Sequence, residues 1–291
     1  MIPLSDIQQI GKGLARPEGV MALDDGTVYA ADGRGRIARI SSFSGQTDFF
    51  GDVGGIPNGI CLDGNGRCII ANIGNGEVQS LSTDGSHTIL LTHAEGRRMP
   101  APNFPFMDFS GRLWVSNSTE NEDVNASLQN PEPDGSVVLL ENGKPRIVAS
   151  GIFFANGLTL DKKEEYLYVA ETLQQDILRF KILGDGSLSR AQVFGPKPLC
   201  KLGYPDGIAF DEAQNLWITF PSRNAVGYLT PSGDLEMVIE DRERKVLQRP
   251  TNICFGGKDR KTAYLGSLDG NTIPCFEAPF PGMRLVHQKK F

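Results

Sequence analysis

Pro205-Asp206-Gly207-Ile208-Ala209-Phe210-Asp211, followed a few polar residues later by Leu216-Trp217-Ile218-Thr219, is a phrase that the chain uses six times. It returns as Pro17-Glu18-Gly19-Val20, Pro57-Asn58-Gly59-Ile60, Pro102-Asn103-Phe104-Pro105, Ala155-Asn156-Gly157-Leu158 and Pro250-Thr251-Asn252-Ile253. The second residue of the phrase varies, as Glu18, Asn58, Asn103, Asn156, Asp206 and Thr251, and bears a side-chain oxygen in every copy. Successive copies of that position lie 40, 45, 53, 50 and 45 residues apart by subtraction, which is the period of a propeller blade. Each interval carries short β-rich runs such as Thr27-Val28-Tyr29-Ala30-Ala31 and Tyr166-Leu167-Tyr168-Val169-Ala170, broken by Gly, Asp, Asn and Ser turns. No stretch shows a capped helical stripe. The pattern predicts an all-β chain, a six-bladed β-propeller spanning residues 1–291 as one domain.

The ends of the chain are expected to close that ring. Ile7-Gln8-Gln9-Ile10-Gly11-Lys12-Gly13 parallels Arg146-Ile147-Val148-Ala149-Ser150-Gly151, an outer strand running into a phrase, while the sixth repeat lacks an outer strand of its own. The N-terminal segment is therefore predicted to join the last blade beside a strand around Thr272 to Phe276. The tail from Met283 to Phe291 is read as an added strand or a mobile end. The longest interval contains Asn121 to Asp134, polar with two prolines, which reads as a loop insertion: a lid over one face, or a plain excursion.

Bulk composition narrows the partners. Hydrophobic residues make up 40% and charged residues 22%, enough for a large core and without the signature of disorder. A net charge of −6, with no basic run longer than Arg97-Arg98 or Lys289-Lys290, argues against a nucleic-acid footprint. The start, Met1 to Asp6, has neither a basic head nor an apolar core, and no apolar run approaches a membrane span, so a cytoplasmic protein is expected. Cys61, Cys68, Cys200, Cys254 and Cys275 are odd in number and lack CxxC spacing, which predicts free thiols, with Cys61 and Cys254 in the core. His87, His93 and His287 lie outside the phrases and read as structural or surface residues. Trp114 and Trp217, at equivalent strand positions, are expected to pack between blades.

In a propeller the first strand of each blade lines the central channel, so the six variable oxygens are expected to ring one mouth. A second set, Asp32, Asn72, Asn117, Glu171, Phe220 and Ser267, ends the following strands on the same face. Two carboxylates and several amides suit a hard divalent cation better than a thiolate-seeking metal. The plainer reading is that these residues cap turns through their backbone neighbours, and Asn58 and Thr251 fit it best.

Together Arg16-Pro17-Glu18-Gly19, Pro102-Asn103, Ala155-Asn156-Gly157-Leu158, Leu167-Tyr168-Val169-Ala170-Glu171-Thr172 and Tyr204-Pro205-Asp206-Gly207 resemble the SMP-30/gluconolactonase family of six-bladed propellers, in the family's blade order and over nearly the whole chain. The resemblance implies a divalent-metal-dependent hydrolase that opens a lactone or related ester. It implies Glu18, Asn156 and Asp206 as metal ligands, Asn103 as the asparagine that contacts substrate or a metal-held water, and Asp206 as general base. The metal would act as Lewis acid, with calcium the first candidate and magnesium, manganese or zinc as alternatives. Asn58, Phe104, Asn117, Glu171, Phe220 and Thr251 are expected to line the substrate or to support the residues that do. Phe104 beside Asn103, with Phe153, Phe154, Leu202, Tyr204 and Phe220 near the ring, predicts a small-molecule lactone or ester less polar than gluconolactone. Arg97 or Arg98 could orient a carboxylate, or simply be a solvated pair. The other classes are a non-catalytic calcium-binding or interaction propeller, phosphotriester hydrolysis, or a metal-free condensation like that of the strictosidine-synthase relatives.

Overall fold

The computed structural model describes residues 1–288. Six antiparallel four-stranded sheets stand radially around a channel. From the channel outward, the blades consist of Val20–Ala22, Val28–Asp32, Arg36–Ile40 and Thr47–Asp52; Pro57–Leu62, Cys68–Asn72, Glu77–Leu81 and His87–Leu91; Pro102–Met107, Leu113–Asn117, Gly135–Glu141 and Lys144–Ile152; Ala155–Leu160, Tyr166–Glu171, Asp176–Lys181 and Gln192–Val193; Ile208–Phe210, Leu216–Phe220, Ala225–Leu229 and Leu235–Glu240; and Pro250–Gly256, Thr262–Ser267, Ile273–Glu277 and Gln8–Ile10. The sixth blade takes its outer strand from the N-terminus, with Gln8 opposite Cys275 and Ile10 opposite Ile273. The predicted closure is therefore the observed one, and Thr272 Oγ1 donates to Gln9 Oε1 at 2.7 Å across the seam.

Sterics explain the glycine of the phrase. A Cβ on Gly157 would lie 2.5 Å from the Asp206 carbonyl oxygen, and one on Gly207 would lie 2.6 Å from that of Thr251. The four phrases that have this glycine, at Gly19, Gly59, Gly157 and Gly207, thus dock it against the variable residue of the next blade. The amides of Gly157 and Gly207 donate to the carbonyls of Asp206 and Thr251, at 3.0 and 2.7 Å. Phe104 stands where other copies have glycine, and its ring packs over Gly59 instead. Trp114 and Trp217 are fully buried, and their indole N–H groups donate to Asp108 and Asp211 at 3.0 and 2.9 Å. Trp217 reaches the sixth blade, its ring centroid 5.7 Å from that of Phe255.

The channel is closed at one end. Met283 donates its amide to Phe210 O, and Gln288 Nε2 donates to Phe255 O at 3.0 Å, so the tail runs across the far mouth. Met21, Phe104, Phe106, Phe210, Phe255, Met283 and Leu285 fill the interior around a residual void of about 30 Å³. From Met283 to Gln288 no strand forms, the isolated bridge between Asp211 and Gly282 coming just before it; residues 289–291 of the predicted segment lie outside the described residues. All five cysteines are free, and Cys61 and Cys254 are buried. Among the described residues no helix is long and apolar enough to cross a membrane.

The insertion is more ordered than a loop. Val124–Gln129 forms one short helix, because Asp123 Oδ1 accepts the amides of Asn125 and Ala126 at 3.0 and 3.1 Å. Six residues are too few to show a helical stripe in sequence, so the cap alone announces it. Asp134 closes its base by accepting Thr119 Oγ1 at 2.7 Å.

Candidate active site

Strand irregularity aims the variable residues. The inner strands of blades two, three, four and six are bulged at the phrase, with register shifts between Pro57 and Ile60, Pro102 and Phe104, Ala155 and Leu158, and Pro250 and Ile253. A bulge breaks the strict alternation of faces and re-aims a side chain. Asn58, Asn103 and Asn156 from bulged strands, with Glu18 and Asp206 just ahead of the regular inner strands of blades one and five, converge on one cavity of about 680 Å³ at the open mouth, a size suited to a small molecule. Thr251 does not line it. Its hydroxyl donates to the Glu18 carbonyl at 3.0 Å, locking the last blade to the first.

The mouth is electrostatically tense. Glu18 pairs with Arg16, whose Nη2 also donates to Asn58 Oδ1 at 3.1 Å. Burial pushes the Glu18 carboxyl above its usual range, against the pull of Arg16, Asn58 and Arg249. Asp206 is pushed well above its range, first by burial and then by the Glu18 charge, against the same two arginines. Enclosing two carboxylates near each other favours a bound cation. Asn156 points the same way: its Nδ2 donates to Thr172 Oγ1 at 3.1 Å, leaving a buried Oδ1 with no partner. Among the described residues no three His, Cys, Asp or Glu side chains converge. A cation here would need an amide oxygen beside the two carboxylates, and Asn156 offers one. That donor set fits a hard divalent ion.

Asn103 is held rigidly, its Nδ2 donating to Ser118 Oγ at 2.9 Å, which in turn donates to Ala155 O at 2.9 Å. The second set from sequence serves a different purpose. Asp32, Asn72, Asn117 and Glu171 accept the amides of Ala15, Ile56, Ala101 and Phe153 at 3.0, 2.9, 3.0 and 2.8 Å. They latch the chain that enters each phrase, so Asn117 and Glu171 support the mouth without lining it. Phe220 is wholly buried among the fifth blade's core residues, and Phe104 lies beneath the mouth in the channel packing. Arg97 and Arg98 form exposed pairs with Glu120 and Glu122 at 3.3 and 3.0 Å, tethering the insertion. His87 and His93 are exposed, and His287 is packed against Ala22 O.

Other lining residues escape a reading confined to the variable position. Two residues before that position stand Arg16, Phe154, Tyr204 and Arg249, and all four line the cavity. Three of them hold left-handed backbone, with φ of 49° at Arg16, 64° at Phe154 and 58° at Arg249, a conformation that costs energy for any residue but glycine. Phe154 and Tyr204 are among the residues expected near the ring; Arg16 and Arg249 follow from counting back two residues in the first and last copies. Val124, Asn125, Leu128 and Pro131 of the insertion complete the wall, so the excursion overhangs the mouth.

A family model described as the SMP-30/Gluconolactonase/LRE-like region matches residues 18–269. Diisopropyl-fluorophosphatase of Loligo vulgaris is 27% identical over 234 residues, which is 77% of this chain and 72% of that protein. The 6-deoxy-6-sulfogluconolactonase of Pseudomonas putida is 25% identical over 162 residues, 55% of this chain and 52% of that one, so the match spans about half of it. Among solved structures, regucalcin of Agrobacterium tumefaciens strain C58, a calcium-binding protein, superposes with a TM-score of 0.73 at 17% identity, covering 95% of this chain and 97% of its own. At that identity the likeness concerns the fold.

Proposed function

The chain belongs to the SMP-30/gluconolactonase/LRE-like family, and from that we propose a hydrolase that opens a lactone or related ester at the channel mouth, with a divalent cation held by Glu18, Asn156 and Asp206. Hydrolases among its relatives support the reaction class, and the calcium-binding of regucalcin supports the cation. The observation that carries the reading is the convergence of two enclosed carboxyls and the unpartnered Asn156 carbonyl in one small-molecule-sized cavity.

When bound, the cation supplies a Lewis acid that polarises the scissile carbonyl. Asn103, fixed by Ser118, is placed to hydrogen-bond the substrate, with Asn58 beside it. Asp206 takes the proton of the attacking water. Water adds to the acyl carbon, the acyl carbon–oxygen bond breaks, and the departing alkoxide regains a proton to give the hydroxy acid. Arg16 pairs with Glu18 and opposes the rise that burial imposes on its carboxyl.

Metal analysis of the purified protein tests the cation. About one divalent ion per chain is expected, with loss in Asp206→Asn; equal content in both proteins overturns the assignment. Acid release, followed by a pH indicator across sugar, aliphatic and aromatic lactones with added calcium, magnesium, manganese or zinc, tests the reaction. An aryl phosphotriester belongs in that panel because of the fluorophosphatase relative. Turnover of the phosphotriester alone would move the assignment to phosphorus esters.

A further inference from the structure

We propose that the mouth selects an anionic lactone or ester: Arg16 and Arg249 hold a carboxylate of the substrate while its apolar body lies against Phe154, Tyr204 and Leu128. The proposal rests on the hydrolase reading above and names the substrate class for it. Four charged side chains line the cavity: Arg16, Glu18, Asp206 and Arg249. Both arginines act on both carboxyls, so the four form one cluster.

Their hydrogen-bonding capacity is not spent within the protein. Arg16 gives Nη2 to Glu18 and Asn58, while its Nη1 is buried without an acceptor. Arg249 stands 3.9 Å from the Asp269 carboxylate, the outer limit of an ion pair. A buried guanidinium N–H without an acceptor is costly, and a ligand carboxylate removes that cost through a charge-assisted bond. Both arginines also sit on left-handed backbone two residues before the variable position. Such backbone persists where the surroundings impose it.

Charge balance leads to the same class. Two carboxylates and two guanidiniums cancel, so a divalent cation on the carboxylates leaves the mouth at two positive charges. The substrate's carboxylate offsets half of that excess, and the dicarboxylate product offsets all of it. Beside its polar groups the wall carries Val124, Leu128, Phe154 and Leu173, which gives an aryl or alkyl body apolar contact. Hydrolysis leaves the substrate's carboxylate untouched: one water is consumed, one acyl carbon–oxygen bond is cleaved, and a hydroxy dicarboxylate leaves.

Dihydrocoumarin-4-carboxylate and its 4-carboxamide isostere test the proposal with the metal-loaded protein. The acid is expected to show a kcat/KM at least about tenfold higher, with a preference that weakens as salt is raised. Calorimetric titration with the opened product, 2-(2-hydroxyphenyl)succinate, against its half-amide measures the anion site without turnover. The dianion is expected to bind about tenfold tighter or better, with that ratio reduced at least about threefold in Arg249→Gln and in Arg16→Gln. Attraction to the cation alone would survive both substitutions. Equal binding of dianion and half-amide, or a ratio unchanged in both variants, overturns the proposal. Turnover reports on the hydrolase reading and the binding ratio on the anion site, so the two fail separately. Arg249 is partly exposed, which keeps its variant foldable should Arg16→Gln disturb the first blade.

Discussion

Glu171 shows how a residue away from the cavity can set conditions for it. Burial pushes its carboxyl up to about 7, and the neighbouring Asp176 adds to the shift, while the Phe153 amide and Lys197 oppose it. Asp176 is itself held by Lys197 at 2.6 Å. The sign follows directly. Between the usual carboxyl value of 4.5 and about 7 the folded chain keeps a proton that the unfolded chain has released, so stability falls as pH rises through that window and levels off above it. Glu171→Gln keeps an acceptor for the Phe153 amide and abolishes the titration. Its Tm advantage over the wild type is expected to grow by about 4 °C from pH 5 to pH 8. Differential scanning calorimetry at the two pH values decides, and a constant difference would count against the shift. Sequence placed Glu171 on the correct face but could not show its role, because its partner is a backbone amide that every residue type provides. Arg16 stands in the family motif, but its pairing with Glu18 across one intervening proline is a contact that sequence spacing alone does not display.

The repeating element is the hairpin between inner and second strands. Its fourth turn position is left-handed in all six blades: glycine at Gly26, Gly66 and Gly111, but Glu164, Gln214 and Arg260 in the others, with φ of 55°, 65° and 55°. An Asp opens four of these turns and accepts later amides, as Asp211 accepts that of Asn215 at 2.9 Å. Glu164 is bonded to Phe109 and Arg260 to Gly282, while Gln214 makes only a 3.3 Å contact with its own turn. Gln214→Gly therefore relieves strain at little loss and is expected to stabilise by about 1 kcal/mol, raising Tm by about 2 °C. A lower Tm on thermal melting would show that the contact outweighs the strain. At this scale the sequence was most legible: Pro, Gly and alternating apolar residues recur because each blade solves one packing problem six times. The helix Val124–Gln129 was not legible, being a single occurrence with no copy to compare against.

At the scale of the whole molecule, the candidate cation site exists only when the ring is closed. Glu18 comes from the first blade, Asn156 from the fourth and Asp206 from the fifth. Glu18 also sits at the seam, where Thr251 holds its carbonyl and the Gln8–Ile10 strand completes the neighbouring sheet. An ion gripping three blades binds the folded ring and not the open chain, so it adds stability by mass action. At a free concentration one hundred times Kd that contribution is about 2.7 kcal/mol, which for a chain of this length raises Tm by about 4 °C. Thermal melts in excess chelator and in excess calcium should differ by that amount in the wild type. In Asp206→Asn the difference should vanish, while the Tm in chelator rises, because the substitution removes one of two carboxylates that repel each other when no cation separates them. A calcium-dependent rise that persists in Asp206→Asn would place the ion elsewhere in the ring. A fall of the variant's Tm in chelator would mean that the acidic pair is better satisfied by Arg16 and Arg249 than their raised proton affinities imply.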